Sequence, residues 1–307
     1  MDLRQLAALT AVADHRSFSA AARALHTVQS NVSTHVARLE RELGATLVDR
    51  TSGTLTDAGM LVVERARRIQ FELESLTSDV ASNLGEISGG VRLGIIGTTG
   101  RWLTPGLLAL LHEAHPNVHV VVVDATTTSL VPQLTAGGLD LAVINLPVKH
   151  PDIEVEALFE EDHLLVVPDG HPLAGRRRVH LSDLAGHPLL LEPRGTGFRD
   201  DLDADAARAK TDLVAQAEID GMRLLASLAF QGFGAAVLPA SAVPPDLASG
   251  PWQRVPLDGC TPRSIGLAVP RRGRLSAPAR ATRDIVLRVV ADEAPRRAGL
   301  RTAGHGA

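Results

Sequence analysis

Residues Ser17 to Arg50 read SFSAAARALHTVQSNVSTHVARLERELGATLVDR. A short helix of small residues, a polar break and a second helix with one apolar and one polar face follow in that order. This is the pattern of a helix-turn-helix, whose second helix enters the DNA major groove. Within it Val32, Val36, Leu39 and Leu43 step by 4, 3 and 4, which makes a buried helical stripe. The alanines at 20–22 let that helix pack close. Ser19 is the expected N-cap of the first of these helices and Thr27 of the second. Gly44 supplies the positive φ of a C-cap.

Upstream, Leu3, Leu6, Leu9 and Val12 recur at helical spacing and predict one more helix. Downstream, Leu47-Val48 and Thr54-Leu55-Thr56 flank a Ser52-Gly53 turn and read as a small β-wing. From Ala58 to about Leu84 the period changes. Val62, Ala66, Ile69, Leu73, Leu76 and Val80 step by 4, 3, 4, 3 and 4, with Arg65, Arg67, Arg68, Glu72 and Glu74 around them. The narrow stripe and the helix's length favour a coiled-coil dimer seam over packing on its own domain. Gly85 and Ser88-Gly89-Gly90 then predict a hinge.

Beyond Gly90 strands and helices alternate. Apolar strands are predicted at 91–96, 118–123, 139–145, 164–168, 188–191, 235–238 and 265–269. Helices are predicted at 103–115, from 130, at 221–231 and at 279–291. Strands apolar on both faces and spaced by helices imply a buried parallel sheet. The late strand at 265–269 is expected to return to the first unit, and 295–307 to fray.

Composition narrows the function. The 307 residues are 45% hydrophobic and 21% charged with a net charge of −4, an ordinary globular balance. Residues 1–57 carry six arginines and six acids, so the reader is neutral. That argues against a general nucleic-acid coat and leaves phosphate contacts to a few placed arginines, backbone amides and doubling in a dimer. Aromatics are 3% with no Tyr, which disfavours stacking on single strands. The single cysteine, Cys260, excludes an internal disulfide or a two-cysteine switch, and with no close basic neighbour apart from Arg263 it is expected to be inert. No signal peptide opens the chain and no run approaches 18 apolar residues, so a cytoplasmic protein without a membrane partner is expected. G-x-S-x-G, H-E-x-x-H and the P-loop are absent, and the twelve His form no ligand set. No enzyme, metal or cofactor is expected.

These motifs together resemble the LysR-type transcriptional regulators over nearly the whole length. The strongest match lies in Phe18–Gly59: SF-x-x-AA-x-x-LH, Gln29, Ser33, RLE-x-ELG at 38–44, DRT at 49–51 and LT-x-AG at 55–59. GGVRLGI at 89–95, HPNV at 115–118, GGLDLAV at 137–143 and QGFGAAVLP at 231–239 stand where that family's sensor has its strands and turns. The resemblance implies an α/β chain with an N-terminal winged helix-turn-helix, a dimerising linker helix and a two-lobed, periplasmic-binding-protein-like effector domain. The corresponding boundaries are 1–58, 59–88 and 89–307, with lobe 1 at about 91–163 plus 266–292 and lobe 2 at about 164–265. It further implies a homotetramer built as a dimer of dimers, double-stranded operator DNA with a T-N11-A core, a small-molecule effector and a possible contact with RNA polymerase. The chain departs from the family at Val28-Gln29-Ser30, where Ser-Gln-Pro is usual, and in a wing about two residues short that lacks a second Arg.

On this reading Gln29 is the foremost base reader, since Gln pairs bidentately with adenine N6 and N7. Ser30, Asn31, Ser33 and Thr34 are candidates for phosphate, water-mediated or base-shifting contacts. Arg38 reaches a phosphate or pairs with Glu42 at i+4. Arg50, with Thr51, stands beside the groove. Ligands in such sheets bind at the carboxyl ends of strands, between lobes. The candidate effector residues there are Thr98, Thr99 and Gly100, then Thr127, Asn145, and Arg194, Gly195 and Thr196. Hydroxyls, free amides and a neighbouring Arg suit a small, anionic metabolite, and Phe198 and Phe230 could form an apolar wall. Two rival readings stand beside this one: a solute-binding receptor, and a constitutive architectural DNA binder with an idle cleft.

Overall fold

The computed structural model describes residues 1–50, 53–83, 86–243, 250–271 and 273–303. Four helices build the N-terminal unit. Helix α1 (Leu3–His15) is opened by a capping box, in which Asp2 Oδ1 accepts from Gln5 N at 2.9 Å and Asp2 N donates to Gln5 Oε1 at 2.8 Å. Helix α2 (Phe18–Ala24) is capped by Ser17, not Ser19; Ser17 Oγ accepts from Ala20 N at 3.3 Å. Ser19 already has helical backbone, one turn position too late to cap, and its hydroxyl reaches Gln29 instead.

Helix α3 (Gln29–Leu43) has Val28 at its N-cap and no side-chain cap bond, which corrects the expected Thr27 cap. Thr27 lies one residue too early; its Oγ1 accepts from Asn31 Nδ2 at 3.0 Å instead. The stripe Val32, Val36 and Leu39 packs with Leu6, Leu9, Val12, Ala21 and Ala22 in one core. Gly44 takes φ +66° at the C-cap, as expected. The wing is a single antiparallel bridge, Val48 to Leu55.

Helix α4 (Asp57–Asn83) begins against that wing. A Cβ on Gly59 would lie 2.0 Å from the Leu47 carbonyl oxygen, so only glycine lets helix and strand approach this closely. The predicted seam divides in two. Val63 and Ala66 are buried in the N-terminal core with Val62 against it. Ile69, Leu73, Leu76 and Val80 are 38%, 40%, 62% and 57% exposed, an apolar stripe left uncovered by the described residues. The face one residue back rests on the C-terminal unit. Asp79 Oδ1 accepts from Ala277 N at 2.7 Å, and Arg280 stands 3.6 Å from the same oxygen. A far-off carboxylate thus caps a helix that has no side-chain cap of its own. The expected hinge is corrected in part: Gly89 and Gly90 belong to the first strand, and Gly85 lies outside the described residues.

The C-terminal unit has two six-stranded sheets. The first lobe contains β1 (Gly89–Ile95), α5 (Gly97–Ala114), β2 (Val118–Asp124), α6 (Thr127–Thr135), β3 (Leu141–Leu146) and β4 (Ile153–Glu161). The second contains β5 (His163–Pro168), β6 (Val179–His180), β7 (Pro188–Leu191), α7 (Gly197–Arg208), β8 (Val214–Glu218), α8 (Met222–Phe230), β9 (Ala235–Pro239) and β10 (Trp252–Asp258). The chain then returns to the first lobe with β11 (Arg263–Pro270), α9 (Ala277–Glu293) and β12 (Leu300–Thr302). The orders are β12-β4-β11-β3-β1-β2 and β6-β10-β5-β9-β7-β8.

Both sheets are mixed, which corrects the expectation of a parallel sheet. β1, β2 and β3 run parallel, but β11 is antiparallel to β3 and β4. The cause is the crossing of the chain between lobes: β5 and β11, the strands that enter a lobe from the other one, run against those linked by helices. Strand β4, IEVEALFEE, was hidden by its acids, and β8 by its exposure along every residue. The last segment is also ordered further than expected, because β12 pairs with β4. In lobe 2 the period of two sends Leu165 and Val167 to one core and Val166 to the opposite one.

Gly59→Ala is expected to lower the stability of the N-terminal unit by about 1–3 kcal/mol, the usual cost of forced overpacking. Thermal melting followed by circular dichroism checks this; an unchanged midpoint would show that the helix-strand contact yields without cost.

Candidate functional site

The solvent face of α3 carries the candidate DNA-reading residues. Gln29, Ser30, Asn31, Thr34 and Arg38 are exposed there and Ser33 is half-buried. In the free protein Gln29 is already held: Ser19 Oγ donates to its Oε1 at 2.7 Å. Thr34 Oγ1 donates back to the Ser30 carbonyl at 2.7 Å, a helix-internal bond that leaves its hydroxyl less free for phosphate. Arg38 does not pair with Glu42. That carboxylate is taken by the Met1 ammonium and by Gln5 Nε2 at 3.1 Å. Arg38 therefore has no ion-pair partner among the described residues.

Glu40 is the residue whose part the sequence reading missed. Its Oε1 accepts from Leu47 N at 2.9 Å and Val48 N at 3.2 Å, and its Oε2 from Arg50 Nη2 at 3.0 Å. Burial opposes its charge, yet these bonds prevail and hold its carboxyl below the usual range. Glu40 thus ties the wing to the recognition helix and positions Arg50, whose guanidinium also stacks 5.4 Å from the Phe18 ring centroid. Thr51 lies outside the described residues.

The second candidate site is the cleft between the lobes, and an arginine whose side chain is only 12% exposed organises it. Arg263 opens β11, the strand that re-enters lobe 1. Its Nε donates to Asn145 Oδ1 at 2.8 Å and its Nη2 to Thr98 Oγ1 at 3.2 Å. Its Nη1 stands 3.5 Å from Glu161 Oε1. Asn145 is fixed in turn, since its amide donates to Thr127 Oγ1 at 3.0 Å. Three predicted residues, Thr98, Thr127 and Asn145, thus converge. The segment Thr98-Thr99-Gly100 is not a loop but the first turn of α5, closed by Gly100 N to Ile96 O at 2.8 Å. Thr99 is fully buried, and its hydroxyl has no partner among the described residues.

Lobe 2 faces this group with His163 and Glu192. Burial, then the charge of Arg263, pushes the His163 imidazole down to about 4, against the pull of Asp162. The ring is neutral at physiological pH, its Nδ1 has no partner among the described residues, and it lies 5.5 Å from the Phe198 ring. Burial raises the Glu192 carboxyl above its usual range, while Thr196 and Arg263 oppose. Thr196 Oγ1 stands 3.4 Å from Glu192 Oε2, which brings it toward the cleft.

Arg194 and Gly195 are not brought there. Arg194 is exposed and 3.8 Å from Asp203, and Gly195 N donates to Asp200 Oδ1 at 3.0 Å. The chain's own acids on α7 satisfy the groups that were expected to capture an anion. Arg263 is balanced by Glu161. The cleft is therefore a near-neutral polar site, and the expected preference for an anionic metabolite loses its basis. Phe230 packs on Trp252 in the lobe 2 core at 4.9 Å rather than in the cleft. The signal for Arg263, Glu161 and His163 was present: charged residues interrupt apolar strands at the two crossings, 160–163 and 263. Arg223 of α8 also pairs with Asp124 at the end of β2 at 2.5 Å, so an ion pair spans the lobes.

Cys260 is a free thiol beside the lobe 2 core, and burial pushes it up to about 12. At neutral pH it is protonated and a poor nucleophile.

A family model described as "Bacterial regulatory helix-turn-helix protein, lysR family" matches residues 3–60, and the "LysR substrate binding domain" matches residues 84–291. The chain belongs to the LysR family of bacterial transcriptional regulators. It is 36% identical over 250 residues to the DNA-binding transcriptional dual regulator OxyR of Escherichia coli (strain K12), covering 80% of this chain and 81% of that one. Its fold matches a full-length OxyR variant from Pseudomonas aeruginosa with a TM-score of 0.75 at 24% identity, over 100% of this chain and 99% of the other. A hydrogen peroxide-bound OxyR mutant of Corynebacterium glutamicum matches with a TM-score of 0.59 at 26% identity, over 94% of this chain and 91% of that one. The LysR assignment makes this chain a DNA-binding regulator with a small-molecule effector domain, not an enzyme. No helix among the described residues is long and apolar enough to cross a membrane.

The His163 environment gives this LysR protein a pH signature. An unfolded imidazole takes its proton near 6.5, the folded one only at about 4. The unfolded state therefore binds more protons in that window, and stability falls as pH drops from about 6.5 toward 4. Denaturant melts across that range should show the loss, and His163→Gln should flatten it; an equal slope in both would place the effect on other groups.

Proposed function

We propose that this LysR-type regulator answers a small, uncharged oxidant of the peroxide class by reversible binding in the inter-lobe cleft, without thiol chemistry. The supporting observation is the near-neutral cluster of Arg263, Glu161, Thr98, Asn145 and His163, which offers donors and acceptors but no net charge for an anion. Similarity to OxyR proteins, one solved with hydrogen peroxide bound, favours the same ligand class here. Cys260, buried and protonated, is poorly suited to attack a peroxide. Thr99 and Thr127 complete the lobe 1 wall, and Thr196 the lobe 2 wall.

Binding there would alter lobe closure only if the ligand prefers one arrangement to another, since equal affinity shifts nothing. Closure reaches the DNA through α4. Its exposed stripe, Ile69 to Val80, forms the dimer seam in this reading, and two such dimers form the homotetramer. Gln29 reads a base edge, with Ser30, Asn31 and Ser33 beside it; Arg38 and Arg50 hold phosphates. A change in reader spacing alters the DNA bend and the access of RNA polymerase. The site of action is the cytoplasm.

Selection of bound genomic fragments by the purified chain at about 0.15 M salt should return a discrete site with a two-fold-related core. Gln29→Ala should lose about 1–3 kcal/mol of discrimination between that site and a scrambled duplex, with dimerisation intact. Retained discrimination would remove Gln29 from the reading. Hydrogen peroxide should shift operator binding saturably, reversibly on removal, and equally in wild type and Cys260→Ser. Loss of the response in Cys260→Ser would mean thiol chemistry, and no response in wild type would mean a different effector.

A further inference from the structure

Gln29 is the first residue of α3, and its side chain is ordered in the free protein. Ser19 of α2 donates its hydroxyl proton to Gln29 Oε1 at 2.7 Å, the usual length of a hydroxyl bond. Ser19 stands on a fixed platform: Ser17 caps its helix, and Ala21 and Ala22 of that helix are buried in the N-terminal core. Both partners of the bond are exposed, so it does not serve to satisfy a buried group. Such a bond adds little to stability, because water serves either group almost as well. Its consequence is orientation. The other polar side chains of α3 are tied differently. Asn31 Nδ2 reaches Thr27 in the preceding turn, and Thr34 returns to the Ser30 carbonyl of its own helix. Neither of those bonds joins two helices.

Orientation matters because a carboxamide has two unlike ends. Its oxygen accepts and its nitrogen donates, and a free side chain turns over to present them in either order. With Ser19 on Oε1 the oxygen lies toward α2, and both Nε2 hydrogens remain for another partner. Oε1 keeps a second lone pair. In the major groove an A·T pair presents the acceptor N7 and then the donor N6; the reversed pair inverts that order, and guanine shows two acceptors instead. An amide held in one order therefore matches one arrangement of the base pair, whereas an amide free to turn over also accommodates the reverse.

We propose that Ser19 is a positioning residue for DNA recognition. It sets the order in which Gln29 presents acceptor and donor, and so sharpens the choice of base pair beneath Gln29. An ordered Gln also gives up less rotamer freedom on docking. The inference rests on Gln29 as a base reader, and Ser19 itself touches no base.

The probe is a pool of randomised duplexes, bound by the full-length chain at about 0.15 M salt and sequenced before and after selection. Wild type, Ser19→Ala, Gln29→Ala and the double variant are compared. The base pairs at which Gln29→Ala erases the preference mark its position. Ser19→Ala should weaken the preference there by about three- to tenfold, the worth of one hydrogen bond, and leave the other positions unchanged. Ser19→Thr, which keeps the hydroxyl, should restore it. Without Gln29, loss of the Ser19 hydroxyl should change nothing. The slope of affinity against salt should be the same in wild type and Ser19→Ala, since no phosphate contact is removed. Alanine is the best helix former, so the variant should fold. A preference lost in Gln29→Ala but kept in Ser19→Ala would overturn this inference alone. So would a Ser19→Ala effect that persists without Gln29 or spreads over all positions, which marks a contact of its own or a loosened reader. A preference unchanged in Gln29→Ala would overturn the base reading, and this inference with it.

Discussion

The C-terminal unit depends on a buried charge at the point where the chain passes from one lobe to the other. Arg263 enters lobe 1 with its guanidinium on Thr98, Asn145 and Glu161. Glu161 is the last residue before the opposite crossing, and its second oxygen accepts from Ser241 N at 2.8 Å, on the segment that follows β9. One ion pair thus touches α5, β3, β4, β11 and the exit of lobe 2. A buried pair is a poor source of net stability, because desolvation offsets most of the attraction. Its value is geometric: removing either partner leaves an uncompensated charge, so the strands that carry them must stay in register. His163, neutral by burial, adds a polar ring to the cleft without adding charge.

A similar economy governs the linker. Helix α4 serves three surfaces in 27 residues. Its start packs into the reader through Val63 and Ala66, its flank caps α9 through Asp79, and its remaining stripe faces outward. These surfaces lie on adjacent faces of one rigid rod. A rotation of lobe 1 against α4 therefore cannot be absorbed locally, and it must appear at the readers or at the seam.

Periodicity made much of this legible. The stripe of α3 from Val32 to Leu39, the length of α4 and the apolar strands of both lobes stood in the sequence because burial imposes spacing on apolar residues, whereas Leu43, expected in that stripe, is 43% exposed. What could not be read depends on partners distant in the chain. Ser17 and Ser19 are equally good caps by type, and only the path of the backbone selects Ser17. Strand direction follows from the crossings, which no local pattern records. In the candidate site, Thr98, Thr127 and Asn145 were found because they end strands or begin helices. Arg263 was overlooked since an arginine 118 residues from its partner Asn145 has no local signature. Arg194 misled for the opposite reason: its glycine-rich neighbourhood suited an anion, but the acids of α7 supplied that anion from within.

The short strand β12 carries one more consequence. It lies along β4, whose nine residues would otherwise form the open border of the lobe 1 sheet, and Arg301 on it pairs with Asp162 at 2.8 Å. An unprotected strand border is a template for pairing with another chain. In a member of an oligomerising family, an unplanned, sheet-mediated route to association would compete with the functional one. Three residues with a charge at their centre close that route over part of β4, so β12 acts as a guard on assembly as well as a piece of lobe 1.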